Sequence, residues 1–535
     1  MRPAPISPGS TRLRRFLARI GIAVLLLGVF AAGALSMRPD TVAHMRSEPA
    51  GSKGAHRAAT FDPQLVGPDP EARAFADAAG AKGRGRPNIV LVTTDDMTLS
   101  DLRFMPVARR LLGAEGVTFD RFLSPDPLCC PARAAILTGQ WGHNNGVKSN
   151  QAPYDYAALQ AGTALPVWLH RAGYRTAFTG KYLNGFGTRG PRQPGWDYWD
   201  ATMAGQYSYQ PFAMANNKKK PTRYDDINNV DYINFRVNRL IDQWAPKAKP
   251  FFIWASQLAP HNRILNGKSR PTALPAHRYR HAFRGKRSPS LRDPAYDEFD
   301  LNDKNVYVRG APMVTSRKVN QIFRSRIRSL QAVDDGIAQL VSRLKAHHVL
   351  DNTYIVFTSD NGFLMGEHRL IEKNLPYAQS IGVPLLIRGP DVPRGEHRDQ
   401  LATMVDLAPT FAEVANAQPL VQTDGQSLLP VLERDLPLRE TVLIQAGPAK
   451  QAASADGWFW RGVTTGRYTY ARYYADGFEE LFDHDYDRAE VASVVADPAY
   501  AAVLAELRRR TEVLGACAGA AECSATFPAL PTPGS

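Results

Sequence analysis

The sequence predicts an α/β fold in which helices cover both faces of a mostly parallel sheet, followed by a smaller α+β domain with an antiparallel sheet. Along most of the chain, short strand-like apolar runs alternate with segments of helical period. Alternation of this kind is typical of parallel sheets, because their crossover connections are usually helices. Beyond about Leu436 the pattern changes to short β-rich pieces, which predict the smaller domain.

The main domain contains several predicted strands, which are the apolar runs 89–93, 176–179, 251–256, 354–358 and 384–387. Apolar residues three and four positions apart predict one helix over 233–244 and another over 327–344. In the C-terminal part, 441–445 and 468–473 are predicted strands, and 501–510 is a predicted helix. The 535 residues are enough to give both domains a core.

The N-terminal residues have the layout of an export leader. Five arginines precede the uncharged apolar run from Ile20 to Met37, within which Ala32-Gly33-Ala34 offers a cleavage site. We assign 1–46 to a signal sequence or a membrane anchor, since the run is also just long enough to span a bilayer. Both alternatives place the protein outside the cytoplasm, either secreted or attached to a membrane.

The remaining boundaries follow changes in composition along the chain. Residues 47–86 are rich in Ala, Gly and Pro, and we interpret them as a linker. The main domain is assigned to 87–435 and the smaller domain to 436–516. Residues 517–535 are assigned to a C-terminal tail.

The charge of the chain restricts its partners. Lys and Arg outnumber Asp and Glu by 65 to 51, an excess that favours anionic substrates or surfaces. The sequence contains no helix-turn-helix or RNA-binding signature, which argues against nucleic acid as the partner.

The four cysteines form two close pairs. Cys517 and Cys523 predict a disulfide in the tail, because close cysteine pairs in exported proteins are usually oxidised. Cys129 and Cys130 are adjacent, and adjacent cysteines bond to each other only with strain. The pair Cys129 and Cys130 therefore needs another explanation.

The segment that begins at Cys129 predicts a helix with an anion-binding start. Pro131 suits the first turn of a helix, and Gly139 can end it. Cys129 would then lie at the helix N-terminus, where free amides and the helix dipole favour anions. Arg133, one turn later, adds a forked cation that suits a tetrahedral oxyanion.

Polar side chains follow two of the predicted strands. Asp95 and Asp96 come after the first strand, and Asp360 and Asn361 come after the fourth. In open α/β sheets, ligands bind beyond the carboxyl ends of the strands. Three carboxylates and an amide are hard oxygen donors, which suit Ca²⁺ or Mg²⁺ better than zinc. The sequence therefore predicts a metal site at this edge of the sheet.

These motifs together resemble a known family. Cys129-x-Pro131-x-Arg133, followed by a helix and Thr138-Gly139, resembles the signature of the type I sulfatases, whose signature cysteine a separate enzyme oxidises to formylglycine. The resemblance extends from Pro87 to about Val491. Further family-like segments carry it, namely Gly180-Lys181-Tyr182, Ala259-Pro260-His261, Gly366-Glu367-His368, Lys373, Val383-Pro384-Leu385 and Glu480-Leu481-Phe482-Asp483.

The resemblance implies an alkaline-phosphatase-like fold and a sulfuric ester hydrolase. It implies a metal, Ca²⁺ in preference to Mg²⁺, whose ligands are Asp95, Asp96, Asp360, Asn361 and the modified Cys129. It also implies a set of residues around the sulfate, namely Arg133, Lys181, His261 and Lys373, with His368 close by. His143 is a further candidate for substrate binding, with a structural hydrogen-bonding role as the alternative.

Two departures from the common family pattern refine the resemblance. Many arylsulfatases carry a histidine shortly after the Gly-Lys-aromatic motif, whereas this chain has Asn184 there. Together with the adjacent cysteines, this variant resembles the branch that contains the N-acetylglucosamine-6-sulfatases. Asn184 is expected to replace part of the missing substrate contact, although an amide cannot act as a general acid. Ala132 replaces the serine that is usual in the signature.

The implied reaction releases inorganic sulfate from a sulfate monoester, plausibly of a sulfated sugar or glycan. Hydrated formylglycine at position 129 has two hydroxyls: one attacks sulfur, and loss of a proton from the other releases the sulfate. His261 is the candidate acid that protonates the leaving oxygen. Maturation requires a formylglycine-generating enzyme as a partner. Two alternatives remain, a phosphonate or phosphate ester hydrolase on the same fold and an inactive carbohydrate-binding protein with an unmodified Cys129.

Two further charged features are interpreted as surface. Asp334-Asp335 lies mid-helix, where adjacent side chains point about 100° apart. The segment 263–287 contains many cations soon after His261. Such a run is usually a solvated loop. Its position makes it, in the alternative, a candidate rim for a polyanionic sulfated glycan.

Overall fold

Alternating side chains of the first buried strand enter two different apolar cores. Ile89 and Leu91 pack into one core, and Val90 and Val92 pack into the other. Since successive residues of a strand point to opposite faces, the sheet must be covered on both sides. The computed structural model describes residues 85–186, 192–203, 207–216, 221–265, 268–448, 454 and 456–534, so the predicted leader and nearly all of the linker lie outside the described residues.

The strands of the described residues are listed here in chain order: β1 (Asn88–Asp95), β2 (Val117–Phe119), β3 (Phe122–Leu123), β4 (Arg175–Lys181), β5 (Tyr198–Thr202), β6 (Phe212–Ala215), β7 (Thr222–Tyr224), β8 (Phe251–Pro260), β9 (Arg263–Leu265), β10 (Lys268–Arg270), β11 (Thr353–Ser359), β12 (Leu385–Arg388), β13 (Glu396–Arg398), β14 (Ala402–Thr403), β15 (Thr441–Ala446), β16 (Trp460–Thr465), β17 (Tyr468–Tyr473) and β18 (Glu479–Asp483). The large sheet has the order β13-β2-β12-β11-β1-β8-β4-β5-β6-β7. Its central strands β11, β1, β8, β4 and β5 are mutually parallel. Antiparallel pairs lie on both sides of this centre, so the sheet is mixed.

The α-helices of the described residues, in chain order, are α1 (Pro106–Ala108), α2 (Cys129–Thr138), α3 (Gly142–Asn145), α4 (Leu165–Arg171), α5 (Asn229–Trp244), α6 (Val306–Arg309), α7 (Ser316–Ala346), α8 (Ala378–Ile381), α9 (Leu407–Ala415), α10 (Leu429–Arg434), α11 (Ala501–Gly515) and α12 (Ala520–Cys523). Apolar faces of α5 and α7 fill the core that contains Val90 and Val92. The helices α2, α4 and α9 fill the opposite core. Coverage of both faces, which the sequence predicted, is thereby confirmed.

A separate antiparallel sheet forms in the C-terminal part, with the order β15-β16-β17-β18. Its buried residues, such as Val463 and Leu481, belong to the same apolar core as α2, and Leu507 of α11 joins them. The predicted antiparallel sheet and the helix after it are confirmed. The predicted boundary at 436 remains a prediction.

Asp334 corrects one interpretation from the sequence. Its side chain is buried, and its two oxygens accept the backbone N–H groups of Val107 at 2.9 Å and Ala108 at 2.8 Å. The carboxylate therefore satisfies free amides at the start of α1, where a negative charge is also favoured by the helix dipole. Only its neighbour Asp335 lies on the surface, paired with Arg278.

In the part of the chain that the structure describes, no helix is both long enough and apolar enough to cross a membrane.

Cys517 and Cys523 are joined by a disulfide, with their Cα atoms 5.1 Å apart. The short loop that it closes also provides the carbonyl of Cys517, which accepts a hydrogen bond from Asn144 at 2.9 Å.

We expect the double variant Cys517→Ala/Cys523→Ala to lose about 2 kcal/mol of unfolding free energy, because the unfolded chain regains loop freedom. Urea denaturation with turnover measured alongside checks this. Two free thiols in the denatured, unreduced wild type would contradict the prediction.

Candidate active site

Four neighbouring parallel strands bring polar side chains to one edge of the sheet. Asp95 ends β1 and Lys181 ends β4, while His261 directly follows β8 and Asp360 directly follows β11. The carboxyl ends of these strands lie side by side, because the strands are parallel and adjacent in the order β11-β1-β8-β4. The motifs that the sequence separates by up to 265 residues, as with Asp96 and Asn361, therefore meet in space.

The close approach of β4 and β8 depends on a glycine. Gly180 has φ +114°, and a Cβ atom there would lie 1.8 Å from the carbonyl oxygen of Ser256. Only glycine fits this position without moving a strand. The Gly-Lys-aromatic motif thus has a backbone reason, since Gly180 allows Lys181 to end the strand beside Ser256, whose hydroxyl donates to the Lys181 carbonyl at 2.6 Å.

Cys129 lies at the start of α2, as the sequence predicted. The helix begins at Cys129, has Pro131 in its first turn, and ends at Gly139, which adopts φ 67°. The thiol of Cys129 donates to Asp95 Oδ1 at 3.5 Å. Arg133, one turn further on, is buried and donates through Nε to Asp360 Oδ2 at 2.9 Å.

The predicted metal ligands converge. We call Asp95, Asp96, Cys129, Asp360 and Asn361 the central cluster. Ligand atoms of Asp95, Asp96, Cys129 and His261 all lie within 4.8 Å of one another. Asn361 Nδ2 donates to Asp96 Oδ1 at 2.8 Å, and the Asp96 N–H donates to Asp360 Oδ1 at 3.1 Å.

The chemistry of the central cluster fits a hard divalent cation. Carboxylate and amide oxygens dominate it, and these are the ligands that Ca²⁺ prefers. Asn361 Oδ1 is buried and accepts no hydrogen bond from the described residues, although a buried amide oxygen is normally satisfied. A cation bound among these oxygens would satisfy it. The residues present therefore fit the Ca²⁺ that the resemblance implies.

Cations surround the central cluster. Lys181 forms an ion pair with Asp95, and Lys373 forms one with Asp96. Lys373 Nζ also lies 2.8 Å from Cys129 Sγ. His261 Nε2 lies 3.8 Å from Asp96 Oδ2. Together with Arg133, these side chains are the four that the resemblance places around the sulfate, and the structure brings all of them to one place.

Burial and the neighbouring cations have opposite effects on the pKa of the carboxylates. Burial by itself would raise the pKa of Asp95, but Lys181, His261 and Arg133 outweigh it and hold that pKa well below its usual range. Burial, reinforced by Asp95, raises the pKa of the Cys129 thiol to about 12. An unmodified cysteine here is therefore protonated near neutral pH and is a weak nucleophile.

Two of the candidate histidines have partners away from the central cluster, and for His143 these favour the structural alternative. His143 Nε2 contacts the Cys517 carbonyl at 3.0 Å, and its other ring nitrogen lies 3.2 Å from Arg461. Burial lowers the pKa of His143 to about 4, so the ring is neutral and structural. His368 is buried, and its described contacts are with Glu298 at 2.7 Å and with the ring of Tyr377. Neither histidine contacts the central cluster in the described structure.

Asn184 lies beside the start of α2 and does not touch the central cluster. Its carbonyl accepts the Cys130 thiol at 3.6 Å. Its side-chain Oδ1 is buried and accepts no hydrogen bond from any residue that the structure describes. The predicted contact between Asn184 and substrate remains a prediction.

Sequence reasoning missed Arg326. This buried arginine of α7 donates to the backbone carbonyl of Asp96 and to Asp101 Oδ2, the latter at 2.6 Å. Asp96 has φ 69°, a left-handed conformation that is uncommon outside glycine, although Asp adopts it more readily than most residues. Arg326 thus fixes the backbone of the loop that carries Asp96. The available signal was its spacing, three residues after Phe323 and four before Leu330, on the apolar face of the helix.

The fold and the site indicate a class of protein, an α/β enzyme with a buried cluster of carboxylates and cations beside a cysteine at a helix start. The chain belongs to the sulfatase family: the family model described as Sulfatase matches residues 87–417. A second model, described as N-sulphoglucosamine sulphohydrolase, C-terminal, matches residues 366–516. The protein is therefore a sulfuric ester hydrolase, and the family that the sequence resembles is confirmed.

Known proteins also support the predicted branch. The N-acetylglucosamine-6-sulfatase of Capra hircus is 34% identical over 394 residues, which cover 69% of this chain and 68% of that protein. A solved structure of a protein in complex with its substrate D-glucosamine-2-N,6-O-disulfate has a TM-score of 0.67 and 24% identity, covering 80% of this chain and 97% of the other. The phosphonate monoester hydrolase of Agrobacterium radiobacter has a TM-score of 0.63 and 21% identity, covering 81% and 96%. The two structural likenesses concern the fold, and they confirm the predicted alkaline-phosphatase-like architecture.

Proposed function

We propose that this sulfatase removes sulfate from sulfated sugars, with 6-O-sulfated N-acetylglucosamine as the favoured class, through formylglycine at position 129 and bound Ca²⁺. One observation carries the proposal. Cys129 starts a helix within reach of Asp95 and Lys373, where three cations and the ring of His261 lie around the central cluster and can bind a sulfate group. The similarity to N-acetylglucosamine-6-sulfatases supports the choice of sugar.

The two groups that maturation adds would supply distinct chemistry. The hydrate of a formylglycine at position 129 would supply one hydroxyl as the nucleophile and a second hydroxyl through which the sulfate could be released. Ca²⁺, held by Asp95, Asp96, Asp360, Asn361 and the modified residue 129, provides positive charge for the sulfuryl oxygens. The carboxylates that now pair with Lys181 and Lys373 would then share their charge with the metal.

The chain's own residues bind and orient the sulfate. Arg133 is fixed through Nε by Asp360 and through Nη1 by the Lys181 carbonyl at 2.6 Å, so its remaining N–H groups are held in place. Its Nη2 makes no hydrogen bond to a described residue and lies 3.7 Å from Asp95 Oδ2. A forked guanidinium with a free arm suits an oxyanion.

His261 is the proposed proton donor to the leaving oxygen. Its Nδ1 lies 2.6 Å from the carbonyl of Asn262, which fixes this nitrogen as a donor and orients the ring. The other nitrogen, Nε2, faces the central cluster and is therefore the atom that gains and loses the catalytic proton. A positioned acid lowers the cost of expelling an alkoxide.

Export supports the same picture. The proposed leader delivers the protein to sulfated glycans outside the cytoplasm, and the disulfide is compatible with an oxidising compartment. The proposed maturation partner is a formylglycine-generating enzyme that acts on the segment around Cys129.

The test is a kinetic panel on protein made in a host that forms formylglycine. We expect turnover of an aryl sulfate and of 6-sulfated N-acetylglucosamine, with the larger kcat/KM for the sugar, because extra hydroxyl contacts act in the transition state. Chelation should stop turnover, and Ca²⁺ should restore it. A larger kcat/KM for a phosphonate ester would replace the proposal with the phosphonate hydrolase alternative. An intact Cys129 thiol together with absence of turnover would favour the carbohydrate-binding alternative.

A further inference from the structure

A group of cations covers the outer side of α7. We call His277, Arg280, Arg284, Arg324 and Arg328 the basic patch. The first three of these residues lie on one loop, and backbone carbonyls of this loop accept hydrogen bonds from α7. Arg328 Nε donates to the Ala282 carbonyl at 2.6 Å, and Arg324 donates to the Lys286 carbonyl at 3.2 Å. The patch is thus a built feature, with two arginines held half-buried against the loop.

The cations of the basic patch have no acidic partners among the residues that the structure describes. Arg278 of the same loop shows the contrast, since it pairs with Asp231 at 2.8 Å and Asp335 at 2.7 Å. Arg280 instead contacts His277 and donates to His281 Nε2 at 2.9 Å. Burial, together with Arg324 and Arg284, lowers the pKa of Arg328. Like charges held this close repel one another, so an anion bound between them would be stabilised.

Three residues of the basic patch line a pocket. Arg280, Arg328 and His277 surround a cavity of about 440 Å³ together with the hydrogen-bonding side chains of Gln210 and Gln321. This volume is within the range of sites that hold one small ligand or one sugar unit. Cations and amides in one pocket suit a ligand that has both anionic groups and hydroxyls.

The basic patch and the Asp96 loop lie on opposite sides of the same helix, α7. Arg326, on α7 between two patch residues, contacts the Asp96 carbonyl on the inner side of the helix. Arg324 and Arg328 are one turn apart and lie on the opposite side, since 3.6 residues make a turn. A helix is about 10–12 Å across with its side chains, so the patch and the Asp96 loop are separated by at least about one helix diameter, a span that a glycan chain of several sugar units can bridge.

We propose that the basic patch is an exosite that binds a second anionic group of a polyanionic glycan while one of its sulfate esters occupies the active site. The proposal rests on the proposed function for the choice of ligand. It makes the enzyme favour sulfated polymers over isolated sulfated sugars, because binding at two linked sites raises the effective concentration of the ester.

The test compares two variants with equal loss of charge. Arg280→Gln/Arg284→Gln removes two exposed patch cations and leaves the half-buried arginines in place. Arg109→Gln/Arg171→Gln removes two exposed arginines elsewhere and serves as the matched control. Binding of size-defined heparin oligosaccharides is measured by calorimetry at two salt concentrations, and kcat/KM is measured on sulfated polymer and on an aryl sulfate.

We expect the patch variant to bind the oligosaccharide about tenfold more weakly, with a flatter salt dependence and a similar fall in kcat/KM on polymer. Its kcat/KM on the aryl sulfate should match the wild type, and the control variant should match it in every assay. Equal losses in both variants, or unchanged oligosaccharide binding in the patch variant, would overturn the exosite. So would patch-dependent binding of duplex DNA or anionic vesicles that exceeds binding of the oligosaccharide.

The two proposals fail differently. Patch-dependent binding of the oligosaccharide without hydrolysis of any ester would leave the exosite standing and refute the proposed function. Hydrolysis of sulfated sugars, combined with polymer binding that does not depend on the patch, would support the proposed function and refute the exosite.

Discussion

Cys129→Ser is expected to fold, to keep its metal site and to lose turnover by about a thousandfold or more, which corresponds to about 4 kcal/mol of transition-state stabilisation. A serine has one hydroxyl, so its sulfate ester has no second hydroxyl from which elimination can start. The central cluster keeps its four oxygen-bearing side chains, and the substitution is nearly isosteric at the start of α2. Multiple-turnover kinetics with an aryl sulfate, alongside the melting temperature with and without Ca²⁺, measure the effect.

Cys130→Ser is the matched control. Cys130 is buried and its thiol contacts the Asn184 carbonyl, a contact that a serine hydroxyl can also make. This variant should retain substantial activity, because only Cys129 has proline two residues later and arginine four residues later. Peptide mass spectrometry should find sulfur replaced by oxygen with loss of two hydrogens at position 129. An active enzyme with an intact Cys129 thiol would refute the mechanism.

The strands and their carboxyl ends could be predicted because they depend on local patterns. The apolar runs 89–93 and 354–358 became β1 and β11, which pair in parallel, so Asp95 and Asp360 meet at one edge. The carboxyl ends of adjacent parallel strands lie at the same edge of a sheet, so the sequence alone was enough to group the proposed metal ligands. The antiparallel edges of the sheet were not predicted, since β12 and β6 give the same apolar signal in either direction.

Contacts between distant segments could not be predicted, because no local pattern encodes them. Asp334 was assigned to the surface, and only packing of α7 on α1 buries it. His143 and His368 were candidates for the site, yet His143 contacts the C-terminal tail and His368 contacts Glu298. Each of these side chains is polar in sequence and buried in the fold, so its role depends on which partner reaches it.

Arg326 is the largest such omission, and it leads to a strong prediction. Its guanidinium connects Asp101, which is buried, to the carbonyl of Asp96, a proposed metal ligand in a left-handed conformation. Removing one partner of a buried ion pair leaves the other charge without compensation, which costs about 3–5 kcal/mol. The same change releases the Asp96 backbone from the position that faces Asp360 and Asn361.

Arg326→Met is therefore expected to lower the unfolding free energy by about 3–5 kcal/mol and to weaken Ca²⁺ binding, even though Arg326 provides no ligand atom. Arg317→Met, an exposed arginine of the same helix, should change neither quantity by more than about 0.5 kcal/mol. The double variant Asp101→Leu/Arg326→Met separates the effect on stability from the effect on metal binding. It should recover part of the unfolding free energy, because no charge is left unpaired. It should not recover the Ca²⁺ affinity, because the Asp96 carbonyl still lacks its hydrogen-bond donor. Denaturant unfolding and calorimetric Ca²⁺ titration measure both. Wild-type Ca²⁺ affinity in folded Arg326→Met protein would show that the Asp96 loop holds its conformation without the arginine.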